Sequence, residues 1–496
     1  MLRRRIPTLI TVALFVAVAG GSPTPANHVS VAAVLPQAPT LTKPNIVLYM
    51  TDDQTMEAVA KMPYVSSRTD WFSFDRAQVE NGLCCPSRAA TLTGQFDTHN
   101  RVGNNDAGHF LNEKETLPVW LQRAGYKSGL FGKYLNVYPF GRGLYTPAGW
   151  SEWQVPFSES LYKQYNWDLN NNGVKVHYGA SGSAYEPDVL ANKMVTFIQK
   201  QATANQPFFA MYTPSATHSP WQASPTRMGT YKYAPVTPAP NFNYVANNQP
   251  GYLKRRMPLN AALMDSNRRL EWDAAASIDD DIKRIDAALQ SSNVAGNTVV
   301  IFMTDNGYSF GSHRWERKRC EFNECASIPM LVRYPGLAGG HDPTNIVTNV
   351  DLAPTITELA GATPAIAQDG ISFVPLLLGT ATAPWRDSIL LHWPGGDMKG
   401  LSGKPDSIPQ FWGVLGNSSS GLYKYVEIDT GERELYDEAA DPYEMTNHAG
   451  DPAYAGVQAE FAARLNALKV KAGPTATGAP LRTDQPAAGP IGTDVD

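Results

Sequence analysis

Two apolar runs of strand length each end in carboxylates, and together they restrict the architecture more than any other feature. Asn45-Ile46-Val47-Leu48-Tyr49-Met50 runs into Thr51-Asp52-Asp53-Gln54, and Thr298-Val299-Val300-Ile301-Phe302-Met303 runs into Thr304-Asp305-Asn306-Gly307. Apolar stretches without polar alternation are the signature of strands buried on both faces of a parallel sheet. Open sheets of this kind bind ligands beyond the carboxyl ends of their strands, which is where both acidic turns fall. Further strand-like segments at 127–131, 208–212 and 329–334 are interleaved with helical spacing at 116–124, 187–199, 267–290 and 351–360. The expectation is a doubly wound α/β domain over 44–380.

The later chain changes character. Residues 388–392, 412–415 and 423–428 read as short strands separated by turns, and 457–471 as a helix. A smaller C-terminal α+β subdomain, an antiparallel sheet plus one helix, is therefore expected over 381–472. Residues 473–496, dominated by Pro, Gly, Ala, Thr and Asp, read as a disordered tail. At the other end, Met1-Leu2-Arg3-Arg4-Arg5, an apolar run over 6–18 and Ala17-Val18-Ala19 have the charged, apolar and small-residue regions of a secretory signal. The expectation is a signal peptide over 1–19, a linker over 20–43, and secretion. The apolar run is shorter than the roughly 20 residues of a membrane span, and no cysteine follows it to carry a lipid, so no stable membrane anchor is expected. The net charge of −5 argues against a nucleic-acid partner and requires any anion site to be local.

Chemistry concentrates in a few places. Leu83-Cys84-Cys85-Pro86-Ser87-Arg88-Ala89-Ala90-Thr91-Leu92-Thr93-Gly94 packs two cysteines, a proline and an arginine before a helical run. Pro86 favours a helix start, which places Cys84 near an N-terminus whose backbone N–H groups favour anions. Arg88 adds a permanently charged donor fork. Asp52, Asp53, Asp305 and Asn306 offer hard oxygen ligands that suit calcium or magnesium and lack the His and Cys preferred by zinc or copper. Lys133 follows a strand, whereas Lys318 lies in Arg314-Trp315-Glu316-Arg317-Lys318-Arg319, which on its own reads as a solvated basic turn. His218, in a His-Ser-Pro-Trp loop, and His313, in Gly311-Ser312-His313, are candidates for the cleft. Asp279-Asp280-Asp281 on the long helix is expected to form a solvated face, and 224–260 a long irregular excursion beside the cleft. If Cys84 is converted to another group, Cys320 and Cys325 are near enough in sequence to pair in an oxidising compartment, leaving Cys85 free; the alternative is that both are unpaired.

The pattern resembles the sulfatase family. The residues that carry the resemblance are Cys84-Cys85-Pro86-Ser87-Arg88 with Leu92-Thr93-Gly94, Thr98-His99-Asn100 with Asn104-Asn105, Gly132-Lys133-Tyr134-Leu135-Asn136, Asp305-Asn306-Gly307-Tyr308, and Leu435-Tyr436-Asp437 with Asp441-Pro442. They span 44–449 and are similar to those of glucosamine-6-sulfatases and extracellular heparan sulfatases. The resemblance implies an alkaline-phosphatase-like mixed sheet and a sulfuric ester hydrolase acting on a sulfated sugar or aryl sulfate. It also implies that a formylglycine-generating enzyme oxidises Cys84 to formylglycine, whose diol accepts sulfate covalently and expels it by collapsing to the aldehyde. Asp52, Asp53, Asp305 and Asn306, with the oxygen of residue 84, then hold one divalent cation, most commonly calcium; Lys133, Lys318 and Arg88 surround the sulfate and diol, and His218 faces the leaving group. One departure is Leu135, where many relatives have histidine, so the base that releases sulfate is unassigned. The alternatives are a phosphonate or phosphate monoester hydrolase using the same formylglycine, and a carbohydrate-binding pseudoenzyme with unmodified Cys84.

Overall fold

The computed structural model describes residues 41–382, 385–399 and 405–473. The segment read as signal peptide, all of the tail but Gly473, and all but the last three residues of the linker lie outside the described residues. Among the described residues, ten strands form one mixed sheet: β1 (Asn45–Thr51), β2 (Phe72–Gln78), β3 (Lys127–Gly132), β4 (Trp150–Pro156), β5 (Trp167–Asn171), β6 (Val174–Tyr178), β7 (Phe208–Thr213), β8 (Thr298–Thr304), β9 (Met330–Arg333) and β10 (Gly340–Thr348). Their spatial order is β10-β2-β9-β8-β1-β7-β3-β4-β5-β6. The first strand is central, parallel to β7 and β8, with Leu48 opposite both Met211 and Ile301. Antiparallel pairings of β9 with β8 and β2, and of β5 with β4 and β6, make the sheet mixed.

Helices cover both faces, which explains the unbroken apolar runs. Ile46, Leu48 and Met50 point into a core with Leu92, Leu117, Trp120 and Ile356, from the helices Cys84–Thr93, Leu117–Arg123 and Leu352–Ala360. Val47 and Tyr49 point the opposite way, toward Leu190, Met194, Trp272 and Ile282 of the helices Glu186–Thr203 and Ala261–Ser291. Alternation is present in the backbone but invisible in composition, because both sides are dry. The sequence reading missed β2, which carries Asp75 and Arg76, the β4–β6 end, and β10, which is broken by Pro343 and shifts register against β2 between Asp342 and Ile346.

The acidic run on the long helix is not a solvated face. Asp279 is buried and accepts the Tyr64 and Val65 N–H groups at 2.7 and 2.8 Å. These are first-turn donors of the helix Pro63–Ser67, whose N-cap Met62 offers no side-chain acceptor. Asp281 is buried and accepts the Tyr212 hydroxyl at 2.7 Å, while Asp280 takes Arg227 in a fork. A carboxylate can be buried where it satisfies donors that would otherwise be stranded.

The small sheet consists of β11 (Ser388–Trp393), β12 (Phe411–Ser418), β13 (Gly421–Ile428) and β14 (Arg433–Asp437), antiparallel in that order, with the helix Ala455–Ala472 against it. Its apolar residues join the larger sheet's cover without a break. Leu390, Val414, Tyr425 and Phe461 pack with Ala90, Phe96 and Val350, and Trp393, Phe411 and Tyr436 pack with Leu83, Trp315 and Phe322. The helix that starts at Cys84 is therefore gripped from the C-terminal side as well. Cys320 and Cys325 form a disulfide within this second cluster. Residues 224–260 are largely irregular, as expected, with one short helix at Gly251–Lys254. Among the described residues no helix is long and apolar enough to cross a membrane.

Candidate active site

The register of β1 against β8 creates the site. Thr51 lies opposite Thr304, so the two acidic turns emerge side by side, and Asp305 N–H donates to the Thr51 carbonyl at 3.0 Å. Asp53 adopts a left-handed backbone (φ 57°), and its N–H donates to Asp305 Oδ1 at 3.1 Å, which turns the carboxylates toward one point. Cys84 is the first residue of its helix, after an extended Leu83, and Pro86 falls in the first turn as the sequence suggests. Cys84 Sγ stands 3.5 Å from Asp52 Oδ1 and 3.6 Å from Asp53 Oδ1, and accepts from Lys318 Nζ at 2.9 Å. Ligand atoms of Asp52, Asp53, Cys84 and Asp305 all lie within 4.8 Å of one another, and all four residues are buried.

Three cations face the three carboxylates. Lys133 Nζ is 2.7 Å from Asp52 Oδ2, Lys318 Nζ donates to both Asp53 oxygens at 3.0 and 2.9 Å, and Arg88 Nε donates to Asp305 Oδ2 at 2.8 Å. Lys318, only 1% exposed, is not on a solvated turn. Its basic neighbours Arg317 and Arg319 are buried too, and Trp315 fastens the segment by donating from Nε1 to the Lys318 carbonyl at 3.0 Å. Lys133 is aimed by close backbone packing: its N–H donates to the Thr213 carbonyl at 2.6 Å, and a Cβ on Gly132 (φ 129°) would stand 1.9 Å from that oxygen. Only glycine fits there.

Burial pushes the Cys84 thiol well above its ordinary range, and the adjacent lysines only partly oppose it. Burial also acts to raise Asp52, but Lys133 and Arg88 outweigh it and hold the carboxyl below its usual value. Asn306 donates from Nδ2 to Asp53 Oδ1 at 2.7 Å, while its Oδ1 is buried with no hydrogen-bond partner among the described residues. Three carboxylates and an orphaned amide oxygen are all hard donors, so the residues present fit a calcium-class ion. Such an ion would shift a balanced cluster to net positive, as an anionic ester requires.

The loop after β7 brings His218 to the cluster, with Nε2 3.4 Å from Asp53 Oδ2 and Nδ1 against the Ser219 carbonyl at 2.7 Å. Thr217 ties this loop to the metal turn by donating to the Asp52 carbonyl at 2.9 Å. His313 does not reach the cleft. It is buried between Asn241, Gln249 and the Tyr443 carbonyl, and stacks on Phe322 with centroids 3.8 Å apart. Burial lowers its pKa, and its contacts tie the excursion to the C-terminal part of the chain.

Sequence reasoning missed Tyr162, Asn136 and Glu186. Tyr162 stacks on His218 (centroids 4.1 Å apart, 20° between planes), and its hydroxyl accepts from Lys133 Nζ at 3.3 Å and Asn136 Nδ2 at 2.6 Å. Glu186 lies under the His218 loop, accepts Ser215 N–H at 3.2 Å, and is pushed up to about 8 by burial. Tyr162 sits in a connection between strands that has no motif, so nothing in the sequence could have found it. Asn136 stood inside a quoted motif, one residue beyond Leu135, whose side chain is fully buried in the sheet core.

Residues 44–362 match the family model described as Sulfatase, and residues 311–471 the one described as N-sulphoglucosamine sulphohydrolase, C-terminal. The N-acetylglucosamine-6-sulfatase of Homo sapiens is 31% identical over 480 residues, covering 87% of this chain and 86% of that protein. A solved structure of an enzyme in complex with its substrate D-glucosamine-2-N,6-O-disulfate superposes with a TM-score of 0.75 at 23% identity, covering 87% of this chain and 98% of that one. The phosphonate monoester hydrolase of Agrobacterium radiobacter superposes with a TM-score of 0.68 at 21% identity, covering 86% and 96%. These two structural likenesses speak to fold.

Proposed function

The chain belongs to the sulfatase family and is a hydrolase of sulfate esters, and from that premise we propose that it removes the 6-O-sulfate of glucosamine or N-acetylglucosamine in a sulfated saccharide. The observation that carries the chemistry is the position of Cys84 Sγ, at a helix start, between two carboxylates of the acidic cluster and the Lys318 ammonium. The activity named for the human relative supports the sugar class. Cys84 is proposed to be converted to formylglycine by a formylglycine-generating enzyme; its hydrate supplies an oxygen nucleophile and a second hydroxyl for releasing sulfate. Asp52, Asp53, Asp305 and Asn306 would hold calcium, which supplies Lewis-acid charge next to residue 84.

The chain's own residues then divide the work. Lys133, Lys318 and Arg88 present fixed positive charge to the ester's oxygens, and because carboxylates already hold them in place, little reorganisation is needed at the reaction. His218 is the general acid: Nδ1 donates to the Ser219 carbonyl, leaving Nε2 to deliver a proton to the departing oxygen. Tyr162 keeps that imidazole in plane by stacking. We read 44–380 as the catalytic domain and 381–472 as its subdomain, and propose secretion. The disulfide at Cys320–Cys325 and the signal-like first 19 residues support an oxidising destination.

Sulfate release from N-acetylglucosamine-6-sulfate, compared with hydrolysis of an aryl phosphate by the same preparation, tests the reading. Sulfate release is expected to dominate, and a larger kcat/KM on the phosphate would transfer the site to the phosphonate and phosphate class. Calcium provides a second test. Added to chelator-treated protein at a hundredfold excess over Kd, it is expected to stabilise the fold by about 2.7 kcal/mol. Calcium-dependent movement of the thermal midpoint that persists unchanged in Asp305→Asn would place the ion elsewhere.

A further inference from the structure

A second group of metal-ligating side chains lies away from the reaction centre, where the small sheet meets the chain entering the Cys84 helix. Glu80, four residues before Cys84, Asp97, in the short helix Asp97–Asn100, and His392, on β11, bring one ligand atom each to within 4.8 Å of one another. Each of the three residues is 1% exposed. His392 Nδ1 donates to the Asp97 carboxylate at 2.8 and 2.9 Å, and Asn81 Nδ2 donates to Asp97 Oδ2 at 2.8 Å. The ring is held flat against Trp412, with centroids 3.8 Å apart, and the His392 N–H donates to the Glu80 carbonyl at 2.8 Å.

What this geometry leaves unsatisfied points to a ligand. Apart from the Asp97 carboxyl against which it lies, Glu80 has no hydrogen-bond partner for its buried carboxyl oxygens among the described residues, and Nε2 of His392 is buried with none. No lysine or arginine forms an ion pair with Glu80 or Asp97 among the described residues. Burying a carboxylate unpaired costs several kcal/mol in real proteins, so something must neutralise Glu80. We propose that Glu80, Asp97 and His392 form a second metal site, for a zinc-class ion, that fastens the small sheet to the segment leading into the catalytic helix. Two carboxylates and one imidazole are a donor set that zinc accepts, with bonds of about 2.0–2.2 Å and a fourth position for water. The same set distinguishes it from the all-oxygen cluster at Asp52, Asp53, Asp305 and Asn306, which suits a harder ion. The competing account is a proton shared between Glu80 and Asp97.

Elemental analysis of the full chain, equilibrated with zinc and calcium and then freed of unbound metal, separates the two. Wild type is expected to hold about one zinc per chain in addition to its calcium. Glu80→Gln and His392→Gln should lose the zinc and keep the calcium, while Asp305→Asn should do the reverse. Zinc added to chelator-treated protein should raise the thermal midpoint of wild type and leave that of Glu80→Gln unmoved. Wild type that takes up no zinc overturns the proposal in favour of the shared proton, whether or not the variants fold, as does zinc retained in both the Glu80 and His392 variants.

Discussion

Cys84→Ala is expected to abolish turnover, with a loss on the order of 10⁶-fold, the scale seen when an enzyme loses its covalent nucleophile. The fold should survive. Cys84 makes its Sγ contacts with Asp52, Asp53 and Lys318 rather than with the apolar core, and Lys318 keeps both Asp53 oxygens when the sulfur is gone. The reason for so large a loss lies in what the thiol cannot do. Burial holds it un-ionised despite two neighbouring ammonium groups, and an un-ionised thiol is a poor nucleophile. Activity should therefore track the fraction of Cys84 converted to the aldehyde, which peptide mass spectrometry measures directly. Cys85 is the internal control. Its thiol is pushed up to about 12 by burial and its side chain lies in the core with Ala89 and Leu92, so Cys85→Ala should cost stability while the folded fraction still turns over. A fully active preparation carrying unmodified Cys84 would defeat the formylglycine reading, and full activity in Cys84→Ala would remove this residue from the chemistry altogether.

The parts of this molecule that could be read from sequence are those where a single local requirement fixes residue type. β1 and β8 were legible because burial on both faces excludes polar residues, and their acidic ends were legible because nothing else in a dry sheet tolerates adjacent carboxylates. Cys84 was legible because its neighbours form a reaction motif. Where the requirement comes from a distant partner, the sequence is silent. Asp279 looks like surface until the helix Pro63–Ser67 arrives with two stranded N–H groups, and Lys318 looks solvated until the Asp53 carboxylate closes over it. Both are polar groups buried by satisfaction, which composition cannot distinguish from polar groups in water. His313 fails in the opposite direction. Proximity to the Asp305 turn suggested the cleft, but positive φ values at His313 and Arg314 turn the chain away, and the ring finds Asn241, Gln249 and Phe322 instead. Tyr162 is defined by partners distant in the chain, the His218 ring 56 positions away and the Lys133 and Asn136 side chains.

His218→Ala is expected to lose about 10²- to 10⁴-fold in kcat/KM on a sulfated sugar, the range contributed by a positioned general acid, and far less on an activated aryl sulfate. A sugar alkoxide is a poor leaving group and must be protonated as the S–O bond breaks, whereas a nitrophenolate departs without help. The proposed acid role rests on an imidazole held in one orientation: Nδ1 is committed to the Ser219 carbonyl, Nε2 faces Asp53, and the ring is clamped against Tyr162. A histidine that only packs the cleft would behave differently, because its loss would loosen Tyr162 and Lys133 and harm both substrates in proportion. Tyr162→Phe separates packing from proton transfer. It keeps the stacked ring and removes the hydroxyl that accepts from Lys133 and Asn136, so it should weaken both substrates similarly and show none of the leaving-group dependence of His218→Ala. A graded series of aryl sulfates extends the test, since a missing acid steepens the dependence of rate on leaving-group pKa. Equal proportional losses on sugar and aryl sulfates in His218→Ala, with no change in that slope, would take the acid role away from His218 and, with His313 buried elsewhere, leave it to water.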